Sequence, residues 1–188
     1  MTVFRSAVVA LGANLPSAAG TPVRTLIAAI AAMAGAGLTV RAVSRFYATP
    51  CFPAGAGPDY VNAAVRIATA LPPDRLLSAL HEIEARFGRE RRQRWGQRTL
   101  DLDLVCVGDT VWPDAATLRA WMDLPAADQR RQAPGGLLLP HPRLQDRAFV
   151  LVPMADVAPG WRHPLLDRTV PAMLAGLPQD DIATVRPI

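Results

Sequence analysis

Two periodicities alternate along this chain, and their order limits the possible folds more tightly than any single motif. Residues 5–11 (RSAVVAL) form an apolar run closed by Gly12, Ala13 and Asn14, the pattern of a buried strand ending in a turn. Thr21 and Pro22 then offer an N-cap and a proline at the first helical position. Leu26, Ile27, Ile30, Met33 and Ala34 recur at helical spacing until Gly35 and Gly37 stop the run. Residues 38–48 alternate and are rich in β-branched and aromatic side chains, which predicts one strand. After a Pro/Gly loop, residues 60–69 predict another. Pro72, Pro73 and Asp74 open a second helix that carries Leu76, Leu77, Leu80, Ile83, Glu84 and Phe87 and ends at Gly88; residues 99–107 then alternate strictly. The order strand, helix, strand, strand, helix, strand predicts an α/β (α+β) ferredoxin-like βαββαβ core, a mainly antiparallel sheet with helices packed on it.

Beyond that core, residues 113–136 are rich in Pro, Asp, Ala and Gln and are expected to be an insertion, with a short helix carrying Leu118, Trp121 and Met122 on one side. A helix around 147–156 and a loose tail over 161–188 are expected to complete a C-terminal extension, all within a single domain spanning 1–188. The chain holds 20 Arg and no Lys. That composition excludes Schiff-base catalysis, a pyridoxal-phosphate anchor, a P-loop lysine and the strand lysine of protein kinases. The net charge of +4 is concentrated, because residues 86–98 carry six Arg and one Glu. Two cysteines, Cys51 and Cys106, make neither a disulfide framework nor a metal cluster, so a reducing, cytoplasmic location is expected. The uncharged run over 26–38 is short of the roughly 20 residues needed to span a bilayer, so no membrane association is expected.

Chemistry concentrates at one place. In Leu100-Asp101-Leu102-Asp103-Leu104 the two-residue period sends three leucines to one face and both carboxylates to the other, about 6.6 Å apart along the strand. Alone, the pair reads equally as a solvated face or as a hard-cation site, since Mg²⁺ favours one or two carboxylates completed by water and phosphate. Directly upstream stand Arg89, Arg91, Arg92, Arg94 and Arg98. They form either a solvated loop pairing with Glu82, Glu84 and Glu90, or the cationic flank that a polyphosphate bridged by metal requires. The same strand order serves RNA-recognition modules. Tyr60-Val61-Asn62-Ala63-Ala64-Val65-Arg66 lacks the basic and aromatic signature of such a third strand, however, and nucleic acid is not the expected partner. A small-ligand regulatory domain, binding without turnover, is the third reading.

Five blocks, in order, carry a resemblance: Leu11-Gly12-Ala13-Asn14-Leu15; Phe46-Tyr47-Ala48-Thr49-Pro50; Asp59-Tyr60-Val61-Asn62-Ala63; Arg94-Trp95-Gly96-Gln97-Arg98-Thr99 running into the aspartate strand; and Pro140-His141-Pro142-Arg143 followed by Arg147-Ala148-Phe149. Together they resemble the 6-hydroxymethyl-7,8-dihydropterin pyrophosphokinases over most of residues 5–160. The resemblance implies a transferase of folate biosynthesis that moves the β,γ-pyrophosphoryl unit of ATP to the pterin hydroxymethyl oxygen by in-line attack at the β-phosphorus, releasing AMP. It implies two Mg²⁺ ions held by Asp101 and Asp103, and ATP as co-substrate. Arg89 and Arg98 would act on the phosphates, with Arg91 and Trp95 in a loop that closes over the site. Glu84, His141 and Arg147 would contact the nucleotide. Tyr60 and Phe149 would sandwich the pterin, while Thr49, Pro50, Cys51, Phe52 and Asn62 read or line its edge. A monomer acting on these two small molecules is the expected assembly. Cys51 stands where relatives often have a second proline.

Overall fold

The computed structural model describes residues 3–51, 55, 57–88, 99–125, 128 and 131–188. Strand β1 (Arg5–Ala13) is the spine of the sheet, pairing antiparallel with β4 (Tyr60–Thr69) on one side and β5 (Asp101–Val107) on the other. From Ala7 onward its side chains enter cores on both faces, which is why that stretch is apolar at successive rather than alternate positions, whereas Arg5 and Ser6 are exposed. Ala7, Val9, Leu11 and Ala13 join a core with helices α1 (Pro22–Gly35) and α2 (Pro73–Arg86). Val8 joins a second core with α4 (Ala148–Val157) and α5 (Val170–Leu174) on the opposite face. The molecule is thus a helix–sheet–helix sandwich. Its strand order β5-β1-β4, with β2 (Thr39–Val43) and β3 (Tyr47–Thr49) sharing the far side of β4, is the ferredoxin-like arrangement expected from the sequence.

Four local departures have physical causes. First, the strand expected over 38–48 is two strands. At the break Ser44 keeps β4 paired: its N–H donates to the Ala64 carbonyl (2.9 Å) and its Oγ accepts from the Ala64 N–H (2.9 Å). The next N–H, that of Arg45, leaves the sheet and donates to Asp156 on α4 (3.1 Å). Second, the strict alternation expected over 99–107 is interrupted. Val8 pairs with Cys106 and Val9 with Leu104, so Val105 is an extra residue, and Val105 and Cys106 both enter the α4-side core. Third, Ile27 lies outside the buried stripe of α1, 53% exposed, because Thr25, Leu26, Ala29 and Met33 form the packed face.

The fourth departure is the C-terminal segment, which is ordered rather than loose. Val170 and Met173 of α5 are buried, α6 (Gln179–Ala183) follows, and β6 (Arg186–Pro187) extends the sheet by pairing with β3. Helix α3 (Ala115–Met122) lies inside the expected insertion, capped by Asp114, whose Oδ1 accepts from the Thr117 N–H (2.8 Å). The excursion is closed at its base by Trp112 and Leu139, which exchange backbone hydrogen bonds of 2.9 and 3.0 Å.

Candidate active site

Register on three strands assembles the site. Gly12 of β1 lies opposite Asn62 of β4 and opposite Asp101 of β5, so one row across the sheet reads Asn62, Gly12, Asp101. Two residues along, Ala10 pairs with Asp103. All of these positions share the α4 face, since their odd or even neighbours, Leu11, Ala63 and Leu102, lie in the other core. The glycine is required by close approach rather than by a turn, and β1 runs on through Ala13. A Cβ at position 12 would stand 3.2 Å from Asn62 Oδ1 and 4.0 Å from Asp101 Cβ.

Asn62 is held in one orientation. Its Nδ2 donates to Thr49 Oγ1 (2.7 Å), and both side chains are buried, at 6% and 7% exposure. Thr49 in turn pairs with Tyr60, which is half-buried at the start of β4. Next to this group opens a cleft of about 460 Å³ lined by Thr49, Pro50, Cys51, Arg147 and Phe149. Phe149, 41% exposed, offers a ring to the cleft with the Arg147 guanidinium 5.6 Å from its centroid. The opposite wall comes from Asp181, Thr184 and Val185, residues the sequence reading assigned to a loose tail. No motif marks them. The pairing of β6 with β3 and the packing of Val185 with Tyr47 and Ala148 bring them here.

The aspartate strand is fixed from two sides. Glu84 on α2, 1% exposed, accepts the Leu102 N–H at 2.7 Å, between the two aspartates. The side chain expected at the nucleotide therefore lies inside the molecule as a support of β5. On the other side, the bulge aims the Val105 carbonyl at the His141 N–H (2.8 Å), docking the Pro140–Pro142 loop beside β5. Burial, reinforced by Arg147 and Arg143 and opposed by Asp101, lowers the His141 imidazole to about 3. Nδ1 accepts the Arg143 N–H (3.1 Å), so the neutral ring carries its proton on Nε2 and is a donor. Arg89, Arg91, Trp95, Arg98 and Phe52 lie outside the described residues.

Asp101 and Asp103, half-buried on one face, offer only oxygen donors. Among the described residues no cluster of three or more His, Cys, Asp or Glu is present. That donor set fits Mg²⁺, which takes few carboxylates and completes its octahedron with water and phosphate, and it does not fit a structural zinc.

Paired carboxylates and a buried amide, set on either side of the central strand of a ferredoxin-like core, suit a ligand-binding α/β enzyme rather than an RNA-binding face. Comparison with known proteins is specific. Residues 8–159 match the 7,8-dihydro-6-hydroxymethylpterin-pyrophosphokinase (HPPK) family, and the chain belongs to it. It is accordingly a transferase, a pyrophosphokinase of folate biosynthesis. A 2-amino-4-hydroxy-6-hydroxymethyldihydropteridine pyrophosphokinase of Synechocystis sp. is 37% identical over 183 residues, 97% of this chain and 80% of that protein. The enzyme of the same name from Haemophilus influenzae is 36% identical over 81% of each chain. Among solved structures, wild-type Plasmodium falciparum HPPK-DHPS with SDX-DHP shares the fold, at a TM-score of 0.62 and 13% identity. The match covers 92% of this chain and 43% of that one, so this chain spans less than half its length. Among the described residues no helix is long and apolar enough to cross a membrane.

Proposed function

We propose that the chain transfers the β,γ-pyrophosphoryl unit of ATP to 6-hydroxymethyl-7,8-dihydropterin, giving the pterin diphosphate and AMP. The observation that carries this reading is the row Asn62, Gly12, Asp101, which sets a buried heterocycle-reading amide and a carboxylate pair on the two strands that flank β1. The pterin lies in the cleft between Phe149 and Tyr60, with Thr49, Asn62 and the backbone from Pro50 to Phe52 at its polar edge. Stacking suits a flat ring, and a buried amide makes its recognition specific, because an unmatched edge would leave polar atoms unpaired.

In this reading Asp101 and Asp103 hold Mg²⁺, two ions in all, which when bound neutralise the charge of the ATP phosphates. The neutral His141 donates from Nε2 to a phosphate oxygen, and Arg147 adds a charged donor. Arg89, Arg91 and Arg98, with Trp95, close over the phosphates and exclude water. The pterin hydroxyl oxygen attacks the β-phosphorus in line, the bond from that phosphorus to the bridging oxygen of the α-phosphate breaks, and AMP leaves with that oxygen. The hydroxyl proton passes to Asp103. Glu84 acts through β5 and not on the nucleotide. We further propose that residues 1–188 work as one domain, monomeric and in the reducing cytoplasm, with 113–136 as an insertion. Purified protein with ATP, Mg²⁺ and the hydroxymethyl-dihydropterin is expected to yield AMP only when the pterin is present. Release of ADP, or AMP independent of the pterin, overturns the reading.

A further inference from the structure

We propose that a cavity at the C-terminal end of α4 is a second ligand site, for a small organic carboxylate with an apolar body. The cavity measures about 360 Å³ and lies on the α4 face of the sheet, between the ends of β1, β4 and β5 and the last turn of α4. Its walls include Val8, Val157, Pro159 and Trp161. The residue that gives it chemistry is Arg66. Among the described residues this is the one charged side chain in the lining, no ion pair joins it to an acid, and its Nε is buried without a hydrogen-bond partner. A guanidinium N–H removed from water and left without an acceptor is costly, and an incoming carboxylate supplies the acceptor in the two-point geometry that the guanidinium fork matches.

The remaining groups narrow the ligand. Trp161 has already committed its Nε1–H to the Gly108 carbonyl (2.7 Å), so it brings ring surface rather than a donor. The Cys106 thiol, pushed by burial to about 12, stays neutral and places no competing anion beside the cation. Ser6 adds a hydroxyl at the exposed rim. One cation and mostly hydrocarbon walls do not suit a polyphosphate, which needs several donors; they suit a carboxylate carried on a ring or short chain. Arg66 lies on the same face of β4 as Asn62 but four residues along, about 13 Å away, so the site is separate from the pterin cleft.

Benzoate is the probe. Titrated into the full chain and followed by two-dimensional ¹H–¹⁵N NMR, it is expected to shift the Trp161 indole and the Gly108 amide saturably. Acetate is expected to bind at least about tenfold more weakly for want of an apolar body, and inorganic phosphate is expected to leave both signals unmoved. Arg66→Gln is expected to weaken benzoate about tenfold or more with the remaining spectrum and basal turnover unchanged. Arg66→Lys, which keeps the charge and the stem, provides a folded comparison and is expected to fall between. No saturable shift with benzoate overturns the proposal, as does phosphate moving the same signals. So does undiminished benzoate affinity in a folded Arg66→Gln or Arg66→Lys protein, which would leave Arg66 as a purely structural cation near the carbonyl end of α4.

Discussion

At the scale of single residues, Gly12 separates two recognition tasks and allows both. Its missing Cβ lets Asn62 and Asp101, on the two strands that flank β1, face the same space. Asn62 cannot retreat from a methyl group, because it is buried and tied to Thr49 at 2.7 Å. Gly12→Ala is therefore expected to raise the KM for the pterin by about tenfold or more while the KM for ATP changes much less. Steady-state kinetics with each substrate varied in turn would check the split, and equal changes in both would contradict it. Asp101→Asn and Asp103→Asn keep shape but lose the charge that binds a cation. Each is expected to lower turnover by about 10²–10⁴-fold with an unchanged circular dichroism spectrum. Near-normal rates in both would remove the metal assignment. The aspartate pair was legible in the sequence because alternation alone puts both carboxylates on one face. The role of Gly12 was not, since a glycine near a strand end looks like a turn until its partners across two other strands are known.

At the scale of elements, helix α4 governs how the strand beside Asn62 is held. Asp156 on this helix accepts from the Arg45 N–H (3.1 Å) and Nε (3.2 Å) and from the Tyr47 hydroxyl (2.7 Å). Burial alone would raise its carboxyl, but the hydrogen bonds from Arg45 and Tyr47 outweigh burial and hold it below the usual range. Tyr47, only 2% exposed, is raised to about 12 by burial and by that same carboxylate. It pairs directly with Asn62. Asp156→Ala leaves a buried hydroxyl without its acceptor and is expected to cost about 1–3 kcal/mol, read as a lower urea midpoint at unchanged slope. A loss confined to tenths of a kcal/mol would show the clamp to be ornamental. None of this could be foreseen from residues 38–48, whose alternation predicts one continuous strand. The break at Ser44 arises because Asp156 of α4, 111 residues later in the chain, competes for the Arg45 N–H.

At the scale of the whole molecule, two histidines couple the fold to pH. His141 is lowered to about 3 by burial together with Arg147 and Arg143, and His163, fully enclosed, is lowered to about 4 by burial. Each ring is neutral in the folded chain at pH values where the unfolded chain protonates it, so the unfolded state binds more protons below the ordinary histidine value of about 6.5. Their contribution to stability is thus fully present above about pH 6.5 and declines as pH falls towards those depressed values. Urea midpoints measured from pH 7.5 to 4.5 are expected to fall with decreasing pH, and His163→Gln is expected to flatten the slope; a midpoint independent of pH would contradict the assignment. By itself, the sequence determined the βαββαβ order of the core, the burial of its first strand and the face carrying Asp101 and Asp103, because these follow from local periodicity and from which residues must avoid water. Only the tertiary structure decided which strands became neighbours in which register, that Glu84 turned inward to the Leu102 N–H, and that Asp181, Thr184 and Val185 returned to wall the cleft beside β6. Those outcomes depend on contacts between positions far apart in the chain, where the energy of pairing and packing is set by partners that no local pattern specifies.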